Sequence, residues 1–272
     1  MTQPANQRLQ VEHATAAPLL QWDDWERIVL GAFGLGSVFL CWELSARLGW
    51  VNPVVISSPT AIGQAFVNQL SSGALLQDLA VTTVELLVGF GLALFFGLAL
   101  GFFMGLVRVF EYAADPFVWF IYSAPIIALY PILIVWFGYG FTTVVAITFL
   151  LTFVSITVNA IAGVHSVEKQ LIQAVRAFGG SRLDVVVKLM IPAAFSYILG
   201  GIRIGLGRAL TGVTLGEMFG SSAGLGYRLT FYASNLKTAD MFVPLIVLVA
   251  MGLILFWISD LVETLIFAWR RA

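Results

Sequence analysis

Charge is the scarcest commodity in this sequence: 11% of its 272 residues are Asp, Glu, Lys or Arg, against 60% hydrophobic. A soluble domain of this length carries roughly 25% charge. So few polar residues could not cover its surface, and the mean hydropathy of +0.94 agrees. Cysteine is nearly absent. Cys41 stands alone, which excludes an internal disulfide, and it reads as a small buried hydrophobe. Two histidines, His13 and His165, lie in separate polar segments, so no metal-ligand spacing exists. Of the three lysines, Lys169, Lys188 and Lys237, none follows glycine, so a Gly-Lys-Ser/Thr phosphate loop is missing. A net charge of −1 leaves no basic footprint for nucleic acid.

What remains is a series of apolar runs long enough, at about 20 residues, to cross a bilayer. Spans are expected at 27–48, 79–107, 116–138, 142–163, 193–219 and 241–267, giving an all-α integral membrane protein of about six helices. The third is interrupted by Pro125 and Pro131. Residues 60–76 read as a short amphipathic helix, and 220–240 as an irregular Gly/Ser-rich loop. Residues 1–25 read as a flexible tail with no basic, apolar leader, and 26–272 as the membrane domain. With the N-terminus inside, nine basic residues (Arg8, Arg27, Arg108, Lys169, Arg176, Arg182, Lys188, Arg270, Arg271) are cytoplasmic, against three outside (Arg47, Arg228, Lys237). Both termini are therefore expected in the cytoplasm.

Gly97, Gly101 and Gly105 recur every fourth residue, as do Gly212, Gly216 and Gly220. Such stripes let helix backbones approach closely, within a chain or between copies. Glu43 and Arg47 have ion-pair spacing. Asp260 and Glu263 precede Arg270 and Arg271, which reads as structural. Glu85 reads as a structural hydrogen-bonding group. Arg203 and Arg208 fall about 16 and 24 Å along a helix from Pro192. They either line a pathway and attract an anion or pair with Glu217 or Glu85 as architecture. Tyr130, Trp136 and Asn159, with Glu217, complete a set of candidate pathway residues.

The one long polar interruption is 165–192, whose apolar residues recur at helical spacing. Gly179-Gly180 permits a sharp turn. Ser181 is an N-cap with Asp184 in the capping-box position. Pro192 opens the next span. Residue by residue, this hairpin resembles the cytoplasmic loop of permease subunits of bacterial ABC importers: Glu-Ala-Ala, three residues, Gly, nine residues, Ile-x-Leu-Pro. Here Gln173-Ala174-Val175, Gly179 and Leu189-Met190-Ile191-Pro192 keep every spacing, with Gln173 in place of the acid.

Further segments resemble the subgroup importing sulfonates, taurine, nitrate, bicarbonate or thiamine precursors. They are Ser58-Pro59-Thr60, Thr82-Thr83-Val84-Glu85, Gly89-Phe90, the run Pro131 to Gly138, Arg203 to Arg208, Glu217-Met218 and Gly224-Leu225-Gly226-Tyr227. The resemblance covers roughly 58–230 and the sixth span.

It implies a type I importer transmembrane domain in a bacterial inner membrane. It further implies a homodimer, two cytoplasmic ATPase subunits and an external solute-binding protein. ATP and Mg²⁺ would sit on the ATPase, leaving this chain non-catalytic and without cofactor or metal. Gln173, Ala174, Arg176, Ala177, Phe178, Gly179 and Arg182 would form the ATPase-coupling surface. The cargo would be a small anion, or alternatively a thiamine-precursor-like solute. An ion-coupled secondary transporter is the rival class. It would want inverted repeats and midplane carboxylates, and no convincing repeat links the halves.

Overall fold

The structure is a computed structural model that describes residues 24–52 and 54–266. Most of the expected tail, with Arg8, and the terminal Arg270 and Arg271 lie outside the described residues. Among those residues every regular element is helical: α1 (Asp24–Arg47), α2 (Pro59–Ser71), α3 (Ala74–Leu106), α4 (Arg108–Ser123), a 3₁₀ turn (Ile126–Leu129), α5 (Tyr130–Phe137), α6 (Phe141–His165), α7 (Lys169–Ala177), α8 (Arg182–Asp184), a π-helical stretch (Val185–Met190), α9 (Ile191–Gly220), α10 (Leu225–Ser234) and α11 (Thr238–Ile266). Five stretches are long and apolar enough to span a membrane, and six if α4 and the 126–137 segment count as one broken span.

The chain divides into two units, Met1–Val51 and Asn52–Ala272. The first holds α1, whose Glu43 Oε1 accepts from Arg47 Nε at 2.6 Å, the pair expected from spacing. Cys41 is exposed on α1 rather than buried.

In the second unit α6 is the central helix, buried over more than half of its apolar window. Glycine builds this arrangement. A Cβ on Gly101 would stand 2.6 Å from Ala160 Cβ, and one on Gly105 2.7 Å from Val164 Cβ. From the other flank, a Cβ on Gly212 would stand 2.8 Å from Thr148 Cα and one on Gly216 3.1 Å from Val144 Cα. Both stripes therefore seat α3 and α9 against α6 within one chain, which brings backbone dipoles and side chains to contact without needing hydrophobic drive.

Two expectations are corrected. The third span begins at Arg108, not 116, and its halves meet at an 88° bend. Pro125 lies in that bend, between Ser123 and the 3₁₀ turn, and having no N–H it cannot continue the ladder. The loop expected at 220–240 contains α10, because Gly224 (φ +101°) turns the chain and Leu225 onward is free to wind.

Candidate functional site

The polar segment folds as a hairpin of α7 and α8. Gly179 adopts φ +82°, a conformation that costs other residues steric strain, and its N–H donates to the Arg176 carbonyl at 3.0 Å. Gly180 is small for a different reason: a Cβ there would meet Val175 Cγ1 at 2.6 Å. The capping box forms as the spacing implied. Ser181 Oγ accepts from the Asp184 N–H at 3.2 Å, and Asp184 Oδ2 accepts from the Ser181 N–H at 2.9 Å. Lys188, then Ser181, hold the Asp184 carboxyl well below the usual carboxylate range.

Beyond the cap the helix does not stop at Pro192. It runs from Arg182 to Gly220 through the π-helical stretch. That widened turn sits just before a residue with no N–H and absorbs its ring. The hairpin's second arm is thus continuous with the fifth span, so a force on the hairpin reaches the membrane without a flexible joint.

Val167 and Val185 anchor the hairpin from beneath, both buried. Gln173, Ala174, Arg176, Ala177, Phe178, Gly179 and Arg182 all lie exposed. Phe178 is 93% exposed, an aromatic ring presented on a turn.

The candidate pathway residues do not converge. Arg203 Nη2 pairs with Asp260 Oδ1 at 2.7 Å, joining α9 to α11. Arg208, five residues on and therefore on another helix face, lies over the Tyr122 ring at 5.5 Å. Among the described residues neither arginine pairs with Glu85 or Glu217. Asn159 Nδ2 donates to the Ser155 carbonyl on its own helix at 2.8 Å. Tyr130 is half-buried with its ring 5.5 Å from that of Phe219, beside Gly220, while Trp136 is exposed on α5.

Glu217 belongs to a different arrangement that the sequence reading missed. Asp78, Thr82 and Glu85 recur along one buried face of α3. Asp78 Oδ1 accepts from the Gly224 N–H at 3.1 Å, Thr82 Oγ1 from Leu225 at 2.9 Å, and Glu217 Oε2 from Gly226 at 2.6 Å. Three side chains from α3 and α9 thus satisfy the orphan N–H groups at the start of α10, and two are carboxylates at the helix's positive end. Asp78 Oδ2 also holds Arg228 Nε at 2.6 Å. The Glu85 carboxyl lies beside that of Glu217. The available signal was Asp-x-x-x-Thr-x-x-Glu on an otherwise apolar helix, which puts three polar groups on one face.

Residues 93–271 match the family model described as binding-protein-dependent transport system inner membrane component. The chain is 30% identical over 234 residues to the formylaminopyrimidine transport permease protein ThiX of Halalkalibacterium halodurans, covering 86% of this chain and 93% of that protein. It is 31% identical over 231 residues to the riboflavin transport system permease protein RibX of Chloroflexus aurantiacus, covering 85% and 86%. A chain of the MetNI methionine ABC transporter, solved in inward-facing conformations, shares the fold at TM-score 0.60 and 19% identity, covering 66% of this chain and 90% of that one.

Proposed function

This chain belongs to the family of binding-protein-dependent transport system inner membrane components, and we propose that it carries a small anionic solute across a cytoplasmic membrane as the permease of an ATP-driven type I importer. Two copies form the pathway, two cytoplasmic ATPase subunits supply the energy together with ATP and Mg²⁺, and an external binding protein delivers the solute. Both termini and the 165–192 hairpin face the ATPases.

The observation that carries this reading is the hairpin itself. Its exposed face ends in Phe178 at a left-handed glycine turn, and its second arm is continuous with the fifth span. Docking there transmits ATPase closure into α9, and the spans answer by tilting between inward- and outward-open states. The anion reading rests on Arg208, which faces an aromatic ring instead of a carboxylate and keeps its fork available for a planar oxyanion. A second reading, a ring-bearing organic solute, is favoured by Tyr122, which lies beneath Arg208, and by Trp119, whose ring is 5.6 Å from that of Tyr122; both stand exposed on α4. The named solutes of ThiX and RibX support that class.

Co-purification with an ATPase encoded beside this chain tests the coupling surface. Wild type is expected to bring the ATPase down, while Gly179→Asp, which strains the turn and adds charge, and Phe178→Ala, which removes the exposed ring, do not. Absence of any ATPase with wild type would remove the importer reading's support and move the ion-coupled class forward.

A further inference from the structure

A cavity of about 620 Å³ opens beneath the coupling hairpin, where α3 ends at Leu106, α4 begins at Arg108 and α6 ends at His165. Close packing of Gly105 on Val164 keeps those span ends together. Arg108, Lys169 and Arg176 line it, along with His165, Glu111 and Tyr112. Among the described residues none of the three cations is in an ion pair. Glu111, the one carboxylate, has His165 Nε2 at 3.4 Å instead. Three fixed positive charges therefore surround an open volume with one negative charge among them. Three like charges with a single carboxylate among them repel, so the arrangement favours an anion in the cavity.

We propose that this cavity binds the phosphate of an anionic phospholipid headgroup. Two guanidinium forks and an ammonium suit phosphate oxygens, which accept paired N–H donors. The cavity lies at the ends of two apolar spans, α3 and α6, and the end of a spanning helix is where it meets the headgroup layer. Tyr112 on its rim is 74% exposed, as suits a ring with one apolar and one wet end. Val109 beside it is 81% exposed and offers apolar surface to the acyl chains. A lipid seated there bridges Arg108 at the start of α4 to Arg176 in the last turn of α7, linking the coupling hairpin to the membrane face. The proposal is independent of which solute is carried.

The test is native mass spectrometry of the purified full chain in detergent, incubated separately with phosphatidylglycerol, phosphatidylcholine and inorganic phosphate. Wild type is expected to retain phosphatidylglycerol in preference to phosphatidylcholine. The double variant R108Q/R176Q is expected to retain it roughly thirtyfold more weakly, from about fivefold per arginine near the surface. If that variant fails to fold, Glu111→Gln carries the test, because removing the lone carboxylate should strengthen retention several-fold. No preference over phosphatidylcholine, or unchanged retention in R108Q/R176Q or Glu111→Gln, overturns the proposal. Retention of inorganic phosphate without phosphatidylglycerol assigns the cavity to a free anion and overturns the lipid source.

Discussion

Asp78 and Arg228, 150 positions apart in sequence, meet with Oδ2 and Nε 2.6 Å apart. The same carboxylate's other oxygen accepts from the Gly224 backbone. One side chain on the second span therefore fixes both the start of α10 and a cation on its first turn. The Asp78 side chain is 5% exposed and that of Arg228 32% exposed, so the carboxylate depends on this pairing more than the arginine does.

Asp78→Asn or Arg228→Ala should lower unfolding stability in detergent by roughly 2–4 kcal/mol, somewhat under the about 3–5 kcal/mol for breaking a fully buried pair, because the Arg228 side chain is 32% exposed. The aspartate variant should cost more, because its new amide also disturbs the acceptor that Gly224 uses. Titration with SDS followed by circular dichroism measures this. Equal stability of both variants and wild type would mean that the pair contributes nothing and that α10 is held by Thr82 and Glu217 alone.

Gly101→Val should be poorly tolerated. Its Cβ would meet Ala160 Cβ at 2.6 Å and the Thr157 carbonyl oxygen at 2.7 Å, and backbone cannot give way as a side-chain tip can. Overpacking of this kind costs about 1–3 kcal/mol. Gly91 lies on the same helix with nothing within 4 Å of its would-be Cβ, so Gly91→Ala serves as the control and should match wild type. Fluorescence-detected size exclusion after a heating series would separate the two.

Span count, the glycine stripes, the Glu43–Arg47 pair and the hairpin's cap were legible because each depends on residues close in sequence. A 20-residue apolar run, a four-residue repeat and a Ser-x-x-Asp box carry their own geometry. The lock around Asp78 was not legible. Its partners lie far away in sequence, and Arg228, counted as one of three outside cations, gave no hint of a carboxylate across the bundle. Arg203 shows the same limit: intramembrane charge announced the need for a partner, but only packing could choose Asp260 over Glu85 or Glu217. The π-helical stretch before Pro192 was also hidden, since a proline next to a polar segment ordinarily signals a fresh start.

Ser181→Ala should loosen the hairpin without unfolding the bundle. It deletes the acceptor for the Asp184 N–H and one of the hydrogen bonds on the Asp184 carboxyl, at about 1 kcal/mol for a lost N-cap. Hydrogen exchange should rise at 181–185 and stay unchanged in α6, while ATPase co-purification weakens. Ser181→Asp can still cap and should restore protection in part, although its charge now faces Asp184. Faster exchange throughout α6 would show instead that the hairpin is integral to the core.

Arg203 and Asp260 give the sharpest separation of architecture from transport. Each side chain is about half exposed in the single chain, at 50% and 49%, yet both sit on helices with strongly apolar surfaces. Asp260 lies within two turns of the end of α11. The cost of leaving either charge alone should therefore fall below the 2.5–3.5 kcal/mol seen at the bilayer centre, to about 1–2 kcal/mol. Arg203→Leu and Asp260→Leu should each lose that much stability in detergent. The double variant R203L/D260L should lose less than either single change, since no unpaired charge remains, and the swap R203D/D260R should recover at least half. A double variant whose loss equals the sum of the singles would mean the two residues act independently. In that case Arg203 is free to meet the solute, and uptake rather than stability becomes the property it controls.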